Sequence, residues 1–163
     1  MRAARNSLTR GFTLVEVLIV VVILVILAAI AIPQFTQASD LARASALVVN
    51  VRHVRSQIQL YTLQHGSTLP SRQLVNQLTL HSNAGGQTCA EPSPDYPLGP
   101  YLLTFPENPI TGIGTIKFRT RADQTFSPPK TDAGWWYNLA TGEFRADLTQ
   151  VWQDETGTPL NQK

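Results

Sequence analysis

Residues 17–32 are sixteen consecutive side chains drawn only from Val, Leu, Ile and Ala. Counted from Phe12, the apolar stretch to Ile32 is 21 residues, broken only by Thr13 and Glu16, and no charge occurs from residue 17 to residue 39. A helix of that length spans about 30 Å, the thickness of a bilayer core. No second segment of this kind follows. With 163 residues, 15% of them charged, the chain reads as one membrane helix carrying about one further domain.

The flanks orient the helix. Residues 1–11 carry Arg2, Arg5 and Arg10 and no acid, whereas the first charge after the run is Asp40 and the first base is Arg43. Basic residues stay in the cytoplasm, so the N-terminus is expected inside and the C-terminal domain outside. A secretory signal peptide has the same basic-then-apolar order, and Ala29-Ile30-Ala31 would serve as its cleavage site. Two features favour a retained anchor: the run exceeds a typical signal core, and it continues into Pro33-Gln34-Phe35 and a helical pattern. Glu16 is out of place among apolar residues. Either it faces headgroups as an acid at a helix N-terminus, or it has a cationic partner, as intramembrane carboxylates tend to.

The run Arg10-Gly11-Phe12-Thr13-Leu14-Val15-Glu16-Val17-Leu18 resembles the processing site of type IV pilins and of the related type II secretion pseudopilins. That motif is a short basic leader ending in Gly, then Phe, Thr-Leu-Val/Ile-Glu and an apolar run. Pro33 also falls at the family's proline position. The resemblance covers about 25 residues. It implies that a prepilin peptidase cuts after Gly11 and methylates the new amino group of Phe12. Gly11, with no side chain, lets the bond enter a tight site. It further implies that Glu16 pairs with the Phe12 amino group of a neighbouring subunit, and that Glu16 and Pro33 belong to an assembly helix. The implied partners are that peptidase, a homo-oligomeric filament with other pseudopilins, an inner-membrane assembly platform and an ATPase. No cofactor and no metal site are implied.

Beyond residue 33 the pattern becomes amphipathic. Leu47, Val51, Val54, Ile58 and Tyr61 recur at spacings of four and three, one face of a helix. One helix is therefore expected from about Thr13 to His65, bent or loosened at Pro33, with Gly66 as its C-cap. A second helical segment is expected after Pro70, capped by Ser71, with Leu74, Val75 and Leu78 apolar. Residues 82–100, rich in Gly and Pro, read as a surface loop. Residues 115–121 alternate, with Ile116 and Phe118 on one side and Lys117, Arg119 and Arg121 on the other. Residues 135–139 and 143–148 read as a hairpin joined by Ala140-Thr141-Gly142. Residues 126–134 read as a loop, and the tail beyond Leu148 as a polar, fraying end apart from Val151 and Trp152.

The expected fold is α+β and pilin-like: a long N-terminal helix packed on a small antiparallel sheet. The expected divisions are a cleaved leader (1–11), a transmembrane and assembly helix (12–32), its amphipathic continuation (33–66) and a globular head (67–163). A weaker resemblance, to the head of major-type pseudopilins, rests on Gly99-Pro100-Tyr101-Leu102, Phe105-Pro106-Glu107-Asn108-Pro109 and Gly134-Trp135-Trp136-Tyr137. Asp123, Asp132, Asp147, Asp154 and Glu155 are scattered, so the calcium loop of that group does not carry over.

Catalytic signals are weak. His53 and His65 lie about 120° apart on a helix and cannot share a metal, and all three histidines, with His81, read as surface or boundary residues. Cys89, the one Cys, excludes an internal disulfide and reads as a free thiol. Adjacent Trp135 and Trp136 point to opposite sides of a strand, one into the core and the other exposed. Arg43, Arg52 and Arg55, or Lys117, Arg119 and Arg121, read as solvated or subunit-pairing charges. The net charge of +2 is too small to favour a nucleic acid. The expected function is a non-enzymatic subunit of a type II secretion pseudopilus, held in the bacterial inner membrane with its head in the periplasm. A type IV pilin for adhesion, motility or DNA uptake is one alternative, and a membrane-anchored enzyme or binding domain is another.

Overall fold

The computed structural model describes residues 13–121 and 133–148. The chain divides into two units, Met1–Asp40 and Leu41–Lys163. The long helix α1, Leu14–Gln64, passes from the first into the second and stays helical at Pro33. The first unit is described by α1 alone. Its apolar side chains are about half exposed or more, as Ile19 at 54% and Ile26 at 56% show.

In the second unit α1 is followed by α2 (Leu74–Thr79), β1 (His81–Ser82), β2 (Thr88–Cys89), β3 (Ile116–Arg119), β4 (Trp135–Asn138) and β5 (Phe144–Ala146). The fold is α+β. Every member of the expected α1 stripe is buried: Leu47, Val51, Val54, Ile58 and Tyr61. Each such aliphatic side chain contributes about 1.5–3 kcal/mol on leaving water. Their partners are Trp135, Tyr137, Phe144 and Ala146 from the sheet, and Leu74 and Leu78 from α2. Past Gln64 the chain turns at Gly66, whose φ of 61 suits glycine, and Ser67 N–H returns to Thr62 O at 2.8 Å.

The main sheet has the order β3-β4-β5. β4 and β5 form the expected antiparallel hairpin, with Gly142 at φ 72 in its connection. β3, however, runs parallel to β4, so the sheet is mixed rather than antiparallel. The connection permits this: residues 120–134 are long enough for the crossover a parallel pair requires, where a tight turn would not be. The pairing builds two inward rows, Ile116–Trp135–Ala146 and Phe118–Tyr137–Phe144, and an outward row, Lys117–Trp136–Arg145. Trp135 stacks on Phe144 with centroids 5.2 Å apart, and Phe118 meets Tyr137 edge-on at 6.3 Å.

Other expectations change. Trp136 lies on the outward face yet is only 2% exposed, so both tryptophans are buried. Ser71 is not the N-cap of α2: that position is Gln73, which makes no side-chain cap bond. Ser71 acts one step earlier, its Oγ accepting from Gln73 N–H and its carbonyl from Leu74 N–H. The stretch 82–100 is not simply a loop. β1 and β2 pair antiparallel across a turn in which Asn83 Oδ1 accepts from Gly85 and Gln87 N–H, and Ser82 bridges to Leu98. Most of the 126–134 loop and the tail beyond Leu148 lie outside the described residues.

The Pro-x-Asn-Pro turn is fastened to the start of β4. Asn108, fully buried, donates from Nδ2 to Gly134 O at 2.8 Å and accepts at Oδ1 from Ile110 N–H at 2.9 Å. Trp135 Nε1–H donates to Pro106 O at 2.9 Å. A Cβ on Gly134 would collide with the backbone carbonyl of Ile113, so this approach requires glycine.

Candidate functional site

The candidate site lies at the N-terminal end of α1. Thr13, the residue before the helix, donates from its backbone N–H and its Oγ1 to Glu16 Oε2, at 2.8 and 2.9 Å. Glu16 N–H donates back to Thr13 Oγ1 at 3.2 Å. This reciprocal pair is a capping box, Thr at N-cap and Glu three residues on, which satisfies N–H groups that a helix start leaves unpaired. Glu16 is thus an acid of the first turn, at the positive end of the helix dipole. The sequence signature of this cap is Thr13-x-x-Glu16. Gly11 and Phe12 lie outside the described residues. Pro33 is helical.

Behind this cap, Leu14–Ile32 is 19 residues long and apolar enough to cross a membrane, with none of it buried within the chain itself. So large an exposed apolar surface requires a lipid or protein surrounding.

In the second unit the histidines separate. His53 is exposed and His81 half-buried, but His65 is buried, against the boundary position expected of it. Its Nδ1 lies 2.8 Å from Tyr61 O. A carbonyl only accepts, so Nδ1 carries the proton and Nε2 accepts from Ser82 Oγ–H at 3.1 Å. The ring stacks on Tyr61 at 3.7 Å. These bonds tie the end of α1 to β1. His65 continues the apolar stripe, four residues after Tyr61, and that spacing was the missed signal. Cys89 is a free, half-buried thiol. Among the described residues no group of three His, Cys, Asp or Glu could hold a metal.

Four basic residues of the second unit are engaged by the fold. Lys117 pairs with Asp147 at 3.2 Å, Arg145 pairs with Glu143, and Arg55 Nε–H donates to Phe144 O at 2.8 Å. Arg72 lies over the Phe118 ring, 5.8 Å from its centroid. Burial holds the Arg55 pKa below its usual value, with the neighbouring Arg145 acting in the same direction.

Residues 6–32 match the family described as prokaryotic N-terminal methylation motif. The chain is type IV pilin-like. The match includes Gly11, Phe12 and Glu16. Over 61 residues the pilin-like chain is 38% identical to the type IV major pilin protein PilE1 of Neisseria gonorrhoeae, covering 37% of either chain. It is equally similar to a fimbrial protein of Neisseria meningitidis serogroup B, covering 36% of that relative. Over 100 residues it is 29% identical to the type II secretion system core protein G of Dickeya chrysanthemi, covering 61% of this chain and 62% of the relative. The chain thus spans less than two thirds of the length of each of these relatives. No solved structure matches it.

Proposed function

We propose that this pilin-like chain is a structural subunit of a type II secretion pseudopilus. The observation that carries this reading is the length of its similarity to core protein G. A match of 100 residues exceeds the 64 residues that end with α1, so it reaches into the head. The 61-residue similarity to the major pilins is short enough to be held by the leader and α1. Those pilins have the higher identity, and this favours a type IV pilus as the second reading.

In the proposed cycle, residues 12–32 hold the subunit in the inner membrane with the leader inside and the head in the periplasm. A prepilin peptidase removes residues 1–11 after Gly11 and methylates Phe12. The new ammonium, with an ordinary pKa of about 7.7–8.0, then meets the Glu16 carboxylate of a neighbouring subunit. A platform protein and an ATPase would drive extraction, while the exposed apolar faces of 14–32 exchange lipid for one another. No reaction is catalysed by the chain, and residues 33–66, with Pro33 at their start, carry the head. Deleting the gene in its own host tests the reading. Loss of export of a secreted protein, restored by the intact gene, is expected. Normal export with loss of surface pili would favour the second reading instead.

A further inference from the structure

We propose that the outer edge of β3 takes an extended acidic segment of another protein as an added strand of the main sheet. The contact involves the head alone, whichever filament the chain builds. The first observation is an open edge. β3 is an outer strand in the order β3-β4-β5. Leu139 N–H donates to Arg119 O at 2.8 Å, and Trp135 N–H to Thr115 O at 3.1 Å. Every second residue of a parallel strand bonds its neighbour, so Lys117 also faces β4. The N–H and C=O groups of Ile116 and Phe118 therefore point the other way, where they meet no hydrogen-bond partner among the described residues. Such a row is a template for a further strand. The opposite edge of the sheet differs: Phe144 O on β5 accepts from Arg55 Nε–H at 2.8 Å.

The second observation is charge. Residues 115–121 hold Lys117, Arg119 and Arg121 and no acid. Side chains alternate across a strand, so these three share the face opposite Ile116 and Phe118. Lys117 is paired with Asp147, and Arg145 with Glu143. The guanidinium groups of Arg119, half-buried, and Arg121, exposed, make no ion pair among the described residues. Exposed Arg72 lies over the Phe118 ring, which brings a further cation to this strand. Glu107 lies beside Gly114, at the far end of β3 from Arg121.

Edge and charge together select the occupant. An open edge gains main-chain hydrogen bonds from any extended segment, and the side chains decide which segment binds. The β3 of a second copy would set Lys117, Arg119 and Arg121 against like charges, which opposes pairing. A strand with acids at alternate positions sets carboxylates beside Arg119 and Arg121 instead, and a hydrogen bond from guanidinium to carboxylate is among the stronger kinds. Because β3 is short, its main-chain bonds are few and the arginines supply the selection.

The probe is a fluorescent peptide alternating Glu and Val, titrated against the full-length chain in an uncharged detergent and followed by anisotropy. Saturable binding is expected, and none by a peptide alternating Lys and Val. Arg119→Glu combined with Arg121→Glu should weaken binding of the acidic peptide about tenfold. The same peptide with every amide N-methylated keeps its charges but donates no main-chain hydrogen bond, and it should not bind. That comparison uses the unaltered chain and does not depend on a variant folding. Equal binding by the N-methylated peptide would show a charge contact without strand addition and overturn the inference. Equal binding by the charge-reversed variant or of the basic peptide would remove the selection for acids and overturn it too, as would no binding of the acidic peptide at all.

Discussion

Replacing Asn108 by Ala removes three hydrogen bonds at one buried point. Gly134 O loses its Nδ2 donor at 2.8 Å, and the N–H groups of Ile110 and Thr111 lose their Oδ1 acceptor at 2.9 and 3.4 Å. Leaving a buried polar group unpaired costs about 1–3 kcal/mol. Gly134 O keeps a second donor, Asp147 N–H at 3.0 Å, so the cost comes mainly from the N–H groups of Ile110 and Thr111, both half-buried. The expected destabilisation of the head is about 1–3 kcal/mol. Urea unfolding of the full-length chain in detergent, followed by tryptophan fluorescence, is the assay, because Trp135 adjoins Gly134. Asn108→Asp is the informative companion. It keeps the acceptor, loses the donor and buries a charge, so it should be at least as damaging. A loss below about 0.5 kcal/mol in Asn108→Ala, the size of an ordinary surface substitution, would refute the argument that this turn is fastened to β4.

Glu16→Gln separates two roles of the side chain. A Gln at N3 still fits a capping box, so insertion and leader removal should persist, whereas a subunit pairing that needs the charge should fail. Filament yield equal to the parent would rule out the proposed pairing with Phe12. Burial raises the Tyr137 pKa, and its hydroxyl donates to Pro70 O at 3.2 Å. A folded-state pKa above the unfolded one means stability is intact below the unfolded value of about 10 and falls as pH rises past it. Tyr137→Phe should flatten part of that alkaline loss, and identical pH profiles of stability for the two proteins would contradict the assignment. Gly11→Leu should leave the leader attached, as judged by the mass of the membrane-bound chain.

The sequence revealed the parts of this fold governed by periodicity. The α1 stripe from Leu47 to Tyr61 was visible because a helix buries one face at fixed spacing, and the same spacing would have included His65 had its ring been weighed as apolar surface. The β4–β5 hairpin was visible from Gly142 and the alternation beside it. The direction of β3 was not, because residues 116–119 alternate identically in a parallel or an antiparallel pair. β1 and β2 escaped notice because two-residue strands have no period. Trp136 was misjudged for a related reason: alternation assigns a side chain to a face, but not what covers that face. At the site, the motif from Gly11 to Glu16 was legible as chemistry, whereas the Thr13–Glu16 bonds required the helix start to be located first.

The intact mass of the mature chain, extracted from membranes of its own host, tests the central claim most directly. The account predicts a chain lacking residues 1–11 and carrying one added methyl group at Phe12. An unprocessed precursor, or a chain cut near Ala31 as a secretory signal would be, would contradict it.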